Sequence, residues 1–353
     1  MKDVELHPEE KLEFDYKNPF SEAMGRLSEY QGSITLPKKY YVVAKNAHLV
    51  ARNYHVGITR FKRVILESLP RAASISLLAE AKLAVRSLAP RSHSVNGPAV
   101  SLVHRQASNY GHWLMDYLPR ALAALHFRQE TGGSVKVIVP DSLAPWQLRS
   151  LELIGFDEED LIPISMNSTK VLNIKLEYAI FSRSHSFFSD PRYGCKDALS
   201  PLIFRSLKEK VIQCMISREP EHRTKKLFIL RKSAGGMDRR FIINMFELKE
   251  LLAPYGFEFI YLEDLLFDQQ VELFKNASHV IAAHGSGLTN LIFSEGCHVL
   301  EAFSSGHGIR PEYWQLTAMT GGHYAHIVVN TEPPFHDMLI PLEKVKGFLE
   351  LSS

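Results

Sequence analysis

Val280-Ile-Ala-Ala-His284-Gly-Ser-Gly287-Leu-Thr-Asn290-Leu-Ile-Phe293 is the stretch on which the fold turns. An apolar run of strand length stops at a histidine. Two glycines follow with one residue between them, and a second apolar segment begins. The pattern reads as a buried β-strand, a sharp turn and the start of a helix. Gly285 and Gly287 lack a Cβ, so backbone N–H groups there can approach a ligand closely. A helix starting at this point aims its unpaired N–H groups and positive dipole end the same way. The place suits an anion, and a diphosphate fits it. A further apolar strand, His298-Val-Leu-Glu301-Ala-Phe303, follows at once and carries a carboxylate suited to the hydroxyls of a ribose. A glycine turn between strand and helix needs no ligand. The flanking His284, Thr289, Asn290 and Glu301 favour one here.

Outward from this stretch, strands and helices alternate. Lys226-Leu-Phe-Ile-Leu-Arg231 predicts a strand that opens into the basic, glycine-rich Lys232-Ser-Ala-Gly-Gly-Met-Asp-Arg239-Arg240. Helices are expected over 244–254 and 267–276, with strands at 257–261, 279–283 and 298–303. The spacing is that of a parallel sheet. Upstream, 200–216 and 145–154 read as helices, and Val135–Pro140, Leu161–Ile164 and Tyr178–Phe181 as strands. Tyr110 to Arg128 is strongly helical, with apolar residues at 114, 117, 118, 121, 122 and 125. Short apolar runs from Tyr40, Ala73 and Ala99 read as strands. Residues 1–35 are polar and read as an irregular arm. Residues 183–200 read as a linker or site loop, and Leu342–Leu351 as an amphipathic helix. The expected organisation is a 1–35 arm, an α/β domain at 36–200, a second at 201–335, and a C-terminal helix at 336–353 expected to cross back to the first domain. Open α/β sheets bind ligands beyond the carboxyl ends of their strands, where Arg231 and His284 fall.

Composition narrows the classes. The 353 residues are 45% hydrophobic and 23% charged, as in a globular protein. A net charge of +2 argues against a nucleic-acid partner held by bulk electrostatics. The three cysteines, at 195, 214 and 297, show no Cys-x-x-Cys spacing, and no His-Glu-x-x-His occurs, so neither a disulfide framework nor a structural zinc site is expected. The N-terminus has no apolar core of a signal peptide, and no run of 18 apolar residues occurs. A cytoplasmic setting is expected, with room for peripheral association at the inner face of a membrane.

Asn109-Tyr-Gly-His112-Trp-Leu-Met-Asp116-Tyr-Leu-Pro-Arg120 carries the other chemistry. His112 and Asp116 share a helical face. Asp116 is the candidate general base with His112 orienting it, and His112 as the base is the competing assignment. Asn109, Tyr110, Trp113 and Arg120 are candidates to contact an acceptor. Pro119 is placed to kink the helix. An ordinary charged helix would have less reason to carry Asn, Tyr, His and Trp on one turn. Among the basic residues, Arg231, Lys232 and Arg239 are candidate phosphate ligands, because a guanidinium binds phosphate oxygens bidentately. Arg231 is favoured, since it directly ends a strand. No Asp-x-Asp occurs anywhere. Cationic side chains and turn amides would then stabilise a leaving phosphate without a metal.

The segments Tyr110–Arg120 and His284–Asn290, with Arg231, Phe267-Asp-Gln-Gln270-Val-Glu-Leu-Phe274 and Val299-Leu-Glu301 in that order, resemble glycosyltransferase family 61 over about residues 100 to 305. The chain departs from the family pattern in Ser286, where alanine is common, and in Gly111, where a bulkier residue is common. Neither change removes a chemical group. The resemblance implies a GT-B fold, two doubly wound Rossmann-type domains facing a cleft. It implies inverting, metal-independent transfer from a nucleotide sugar, most simply a UDP-sugar, to a hydroxyl of a glycan or polysaccharide. No cofactor is then needed. His284, Gly285, Ser286, Gly287, Leu288, Thr289, Asn290 and Glu301 would hold the donor together with Arg231, across the cleft from the 109–120 helix. The signal-free, cysteine-poor chain is more similar to bacterial polysaccharide-biosynthesis members. The alternative is a non-catalytic nucleotide- or carbohydrate-binding protein on the same scaffold. An NAD-dependent oxidoreductase would need a third glycine after Gly287, where Leu-Thr-Asn290 stands.

Overall fold

The computed structural model describes residues 2–352 except 21, 23, 52–55, 69–75, 91, 105, 166–171, 183–197, 216–222, 233–240, 307 and 332–336. The chain divides into two compact units, Met1–Leu12 with Ile34–Met215, and Glu13–Ser33 with Ile216–Ser353.

The chain begins with β1 (Lys2–His7), β2 (Glu10–Phe14), β3 (Gly32–Leu36), β4 (Lys39–Ala51) and β5 (Val56–Ile58), all in the first unit except Glu13–Phe14 of β2 and Gly32–Ser33 of β3. Then come α1 (Leu77–Arg86), β6 (His93–Ser101), α2 (Tyr110–His112), α3 (Leu118–Thr131), β7 (Lys136–Pro140), α4 (Pro145–Ile154), β8 (Leu161–Ile164), β9 (Leu172–Ser182) and α5 (Pro201–Cys214). The main sheet runs β1-β4-β9-β6-β7-β8, with β5 paired to β4. Only β9, β6, β7 and β8 are mutually parallel. β4 is antiparallel to β1, β5 and β9. The expected doubly wound parallel sheet is therefore a mixed sheet here. The link from β4 to β5 is too short for a crossover helix, so those strands must run antiparallel.

The lead-in read as an irregular arm instead contains strands. β1 pairs with β4 from Lys2↔Val43 to His7↔Lys39, and β2 pairs with β3. Glu10 is buried and caps α5. Its carboxylate accepts from Ser200 Oγ and from the Leu202 amide, the latter at 2.9 Å. Of the strand expected from Ala73, residues 73–75 lie outside the described residues, and the remainder starts a helix. Ser76 accepts from the Ala79 amide, and α1 begins at Leu77.

The second unit contains β10 (Lys225–Leu230), α6 (Met245–Leu252), β11 (Phe257–Tyr261), α7 (Phe267–Lys275) and β12 (Ala277–Ala283). A 3₁₀ helix (Ser286–Phe293), β13 (His298–Ser304), α8 (Glu312–Met319), β14 (His323–Val329) and α9 (Leu342–Leu351) complete it. All five strands are parallel, in the order β11-β10-β12-β13-β14. This is a doubly wound sheet. The winding reverses between β10 and β12, and ligands of such sheets bind at that switch point. On one face Leu248 and Leu252 of α6 and Val345, Phe348 and Leu349 of α9 pack on Phe228, Ile281, Leu300 and Ala302. By the period-2 alternation, Glu301 and Phe303 point the other way. The expected C-terminal helix is present as α9, and its apolar side belongs to this core. Among the described residues no helix is long and apolar enough to cross a membrane.

At the amino ends of β12, β13 and β14, His279, His298 and His323 are register partners. Their rings stack at 5.1 and 4.8 Å between centroids. Burial, then the charges of His298 and Lys226, holds His279 down to about 4. A base whose folded pKa is depressed leaves the unfolded chain holding more protons, so stability rises with pH through the window from about 4 to 6.5 and is complete above it. Lowering pH from 7 to 5 is expected to reduce unfolding free energy by on the order of 2 kcal/mol through this residue. Urea titrations at both pH values should show a smaller pH difference for His279→Gln. An equal difference would remove His279 as the source.

Candidate functional site

β10 ends at Leu230 and β12 at Ala283, so Arg231 and His284 emerge side by side at the switch point. Arg231 Nη1 donates to the His284 carbonyl at 2.9 Å. The His284 ring stacks on Phe303, 4.9 Å between centroids, and lies 5.4 Å from the Tyr313 ring. Its Nδ1 is 2.5 Å from Glu301 Oε1. The Glu301 side chain is 0% exposed, and its Oε2 accepts from Tyr324 Oη at 2.5 Å. With Glu301 as acceptor, Nδ1 carries a proton and Nε2 is directed away from the carboxylate. The ribose role expected for Glu301 does not fit a carboxylate whose two oxygens are both engaged inside the core. Its Oε1 faces His284 Nδ1 instead.

The glycines of the turn serve packing as well as access. Gly285 has an extended backbone, φ 174°, which any residue can adopt. A Cβ there would collide with Arg231 Nη1. A Cβ on Gly287 would lie 2.8 Å from Leu262 Cδ1. The helix expected after the turn is a 3₁₀ helix. Leu288, Thr289 and Asn290 are buried. Asn290 Nδ2 donates to the Gly287 carbonyl and to Gln270 Oε1, each at 3.1 Å. Gln270 in turn donates to the carbonyls of Leu262 and Leu265. The Asn290 side chain is thus engaged in holding the turn, in place of the donor contact expected of it, and the side chains of Leu288 and Thr289 are buried beside it. Ser286 and Gly287 are half-buried. Lys232 forms an ion pair with Asp264 and lies over the Tyr261 ring. Arg239 and Arg240, like most of the 183–200 loop, lie outside the described residues.

In the first unit, Asn109 caps the helix by accepting from the His112 amide at 3.1 Å. α2 is followed by a π turn, Trp113–Tyr117, and then α3. Pro119 has no N–H to give the carbonyl four residues back. The ladder widens there, with the Leu118 amide bonded to the Trp113 carbonyl. Asp116 sits within this wide turn, the kind of irregularity frequent at functional sites. His112 Nδ1 and Asp116 Oδ2 are 2.7 Å apart, with side chains 28% and 15% exposed. Arg120 Nε donates to the Asp116 carbonyl at 3.2 Å, and its guanidinium lies over the Tyr117 ring. The Tyr110 ring lies 5.0 Å from the Trp146 ring. Trp113 is fully buried and donates to Ser150 Oγ at 2.8 Å. The acceptor role expected for Trp113 is corrected to core packing.

The sequence reading missed Tyr324 and Glu312. Glu312 opens α8, and its Oε2 is buried without a hydrogen-bond partner among the described residues. Burial raises its carboxyl pKa and the nearby Glu301 adds to the rise, while His284 opposes it. No motif marks either residue, because both are reached only through strand order.

This geometry has a family counterpart. The glycosyltransferase 61 family model matches residues 110–300, from the His112–Asp116 helix through the turn to β13. The match spans more than half of the chain, and the chain belongs to that family. It is a glycosyltransferase by class. No curated protein matches the chain.

Proposed function

We propose that this glycosyltransferase is inverting and metal-independent, and that it moves a sugar from a nucleotide sugar, a UDP-sugar foremost, to a hydroxyl of a glycan or polysaccharide. The two units serve as the acceptor and donor halves of a GT-B enzyme working on the cytoplasmic side. The observation that carries this reading is the Arg231–His284–Glu301 chain at the switch point of a doubly wound sheet, within the matched family region.

In the proposed reaction Asp116 takes the proton of the acceptor hydroxyl, with His112 fixing its orientation. The hydroxyl oxygen bonds to the anomeric carbon as the bond from that carbon to the diphosphate oxygen breaks on the opposite face. Arg231 and the amides at Gly285 and Ser286 receive the charge of the leaving diphosphate. His284, held by Glu301, presents Nε2 to the same group. Lys232 and Arg239 are proposed to extend the cationic surface, and Asn109, Tyr110 and Arg120 to border the acceptor.

Thermal shift against UDP-, GDP-, CMP- and dTDP-sugars tests the donor. A ligand at 100 times its Kd stabilises by about 2.7 kcal/mol. One nucleotide class is expected to raise Tm, equally with and without EDTA. No shift with any donor would overturn nucleotide-sugar binding. A shift lost in EDTA and restored by a divalent cation would overturn metal independence.

A further inference from the structure

We propose that the first unit docks on an anionic lipid surface through the outward side of α1 and the turn beside it. α1 has no fully buried residue. Its inward side chain, Leu83, packs against the small cluster of Val50, Val56 and Ile58. The other leucines and the valine face solvent. Leu77 is 83% exposed, Leu78 67%, Val85 67% and Leu88 69%. Positions 77, 81, 85 and 88 recur at three- and four-residue spacing, and 78 lies two turns before 85, so these groups form one stripe. Next to them, Thr59–Lys62 closes a turn in which Lys62 donates to the Thr59 carbonyl and adopts φ 66°. The turn presents Phe61, 71% exposed, under the Arg60 guanidinium.

Exposed apolar side chains gathered on one helix face mark a place of association. Its charge says with what. Arg60, Lys82 and Arg86 are exposed among the apolar residues. The one acid of α1, Glu80, is already engaged, since it accepts from Arg63 Nε at 2.9 Å and from the Val64 amide at 3.2 Å. That contact ties the turn to the helix. The surface therefore combines exposed apolar side chains with an excess of cations whose stems can lie along lipid while their heads reach phosphate. A ten-residue helix is about 15 Å long. It cannot span a bilayer core of about 30 Å, but it can lie in the interface. Docking there would bring the enzyme to acceptors carried on a membrane. The proposal does not depend on the assigned donor or base, because its test involves neither.

The test is co-sedimentation of the full chain with vesicles of phosphatidylcholine alone and of phosphatidylcholine mixed with phosphatidylglycerol. Binding to the mixed vesicles is expected, weakened by salt, with little binding to the neutral ones. Lys82→Gln with Arg86→Gln should weaken it by roughly 5- to 30-fold, at several-fold per basic residue. Leu78→Gln, Val85→Gln and Leu88→Gln together should weaken it by about tenfold or more. All five positions are exposed, so far-UV circular dichroism should be unchanged. The proposal is overturned by no binding, by equal binding to neutral vesicles, or by unaltered binding of the apolar variant. It is equally overturned if sedimentation velocity shows a dimer that the apolar variant dissolves, which would assign this face to a second copy of the chain.

Discussion

Asp116→Asn is expected to lower sugar transfer by about 10²–10⁴ while leaving the donor dissociation constant unchanged. An inverting displacement uses no enzyme nucleophile, and one group must take the acceptor proton as the new bond forms. Asp116 is the carboxylate that the helix holds in place. Its Oδ2 lies 2.7 Å from His112 Nδ1, and its carbonyl receives Arg120. The π turn created by Pro119 sets it in the helix at a point where the backbone ladder is already widened. Asparagine keeps the shape and the contact to His112 but cannot accept the proton. The comparison is with His112→Ala. Under the proposed roles that variant loses orientation and falls less steeply than Asp116→Asn. Near-normal turnover in Asp116→Asn with abolition in His112→Ala would exchange the two roles, making Asp116 the group that orients an imidazole base. Normal turnover in both would make this helix structural and move the chemistry elsewhere.

The parts of the fold that could be read from sequence are those with strong local periodicity. The helix expected over 110–128 is found as α2, the π turn and α3, and the strands expected at 226–231, 279–283 and 298–303 are found at 225–230, 277–283 and 298–304. Strand ends were informative too, since Arg231 and His284 are adjacent because both leave the sheet at its switch point. Other features depend on partners distant in sequence. Residues 2–7 are polar and alternate weakly, yet they form a strand because β4 offers an edge. β14 is broken by His323 and His326, which obscure its apolar run, and α8 is too short for its period to show. The buried state of Glu301 could not be foreseen, since Tyr324 lies one strand away and 23 residues later. Trp113 and Asn290 show the same limit. Unusual polar or aromatic residues beside a turn attract a functional reading, and only the contacts to Ser150 and Gln270 reveal that they hold the scaffold.

Arg231→Ala is expected to weaken binding of the nucleoside diphosphate by about ten- to hundredfold, the value of a charge-assisted bond to phosphate at roughly 1.5–3 kcal/mol. The residue is half-buried and fixed at 2.9 Å to the carbonyl of His284, which opens the turn. Pre-placement of this kind means that little side-chain freedom is lost when the diphosphate arrives. Arg231→Lys restores the charge but not the planar fork, and is expected to recover only part of the affinity. Gly285→Ala offers an independent check that removes no charge. Its methyl group would lie 2.4 Å from Nη1 and displace the guanidinium. If the position of Arg231 matters, Gly285→Ala weakens binding in the same direction, and combining it with Arg231→Ala adds less than the sum of the two. Isothermal titration calorimetry with the diphosphate separates the outcomes. An unchanged dissociation constant in Arg231→Ala would reject the switch point as the donor site. Loss in Arg231→Ala with full additivity of Gly285→Ala would keep the arginine as a ligand, and would show that the glycine serves the turn's own access to the phosphate and not the placing of the guanidinium.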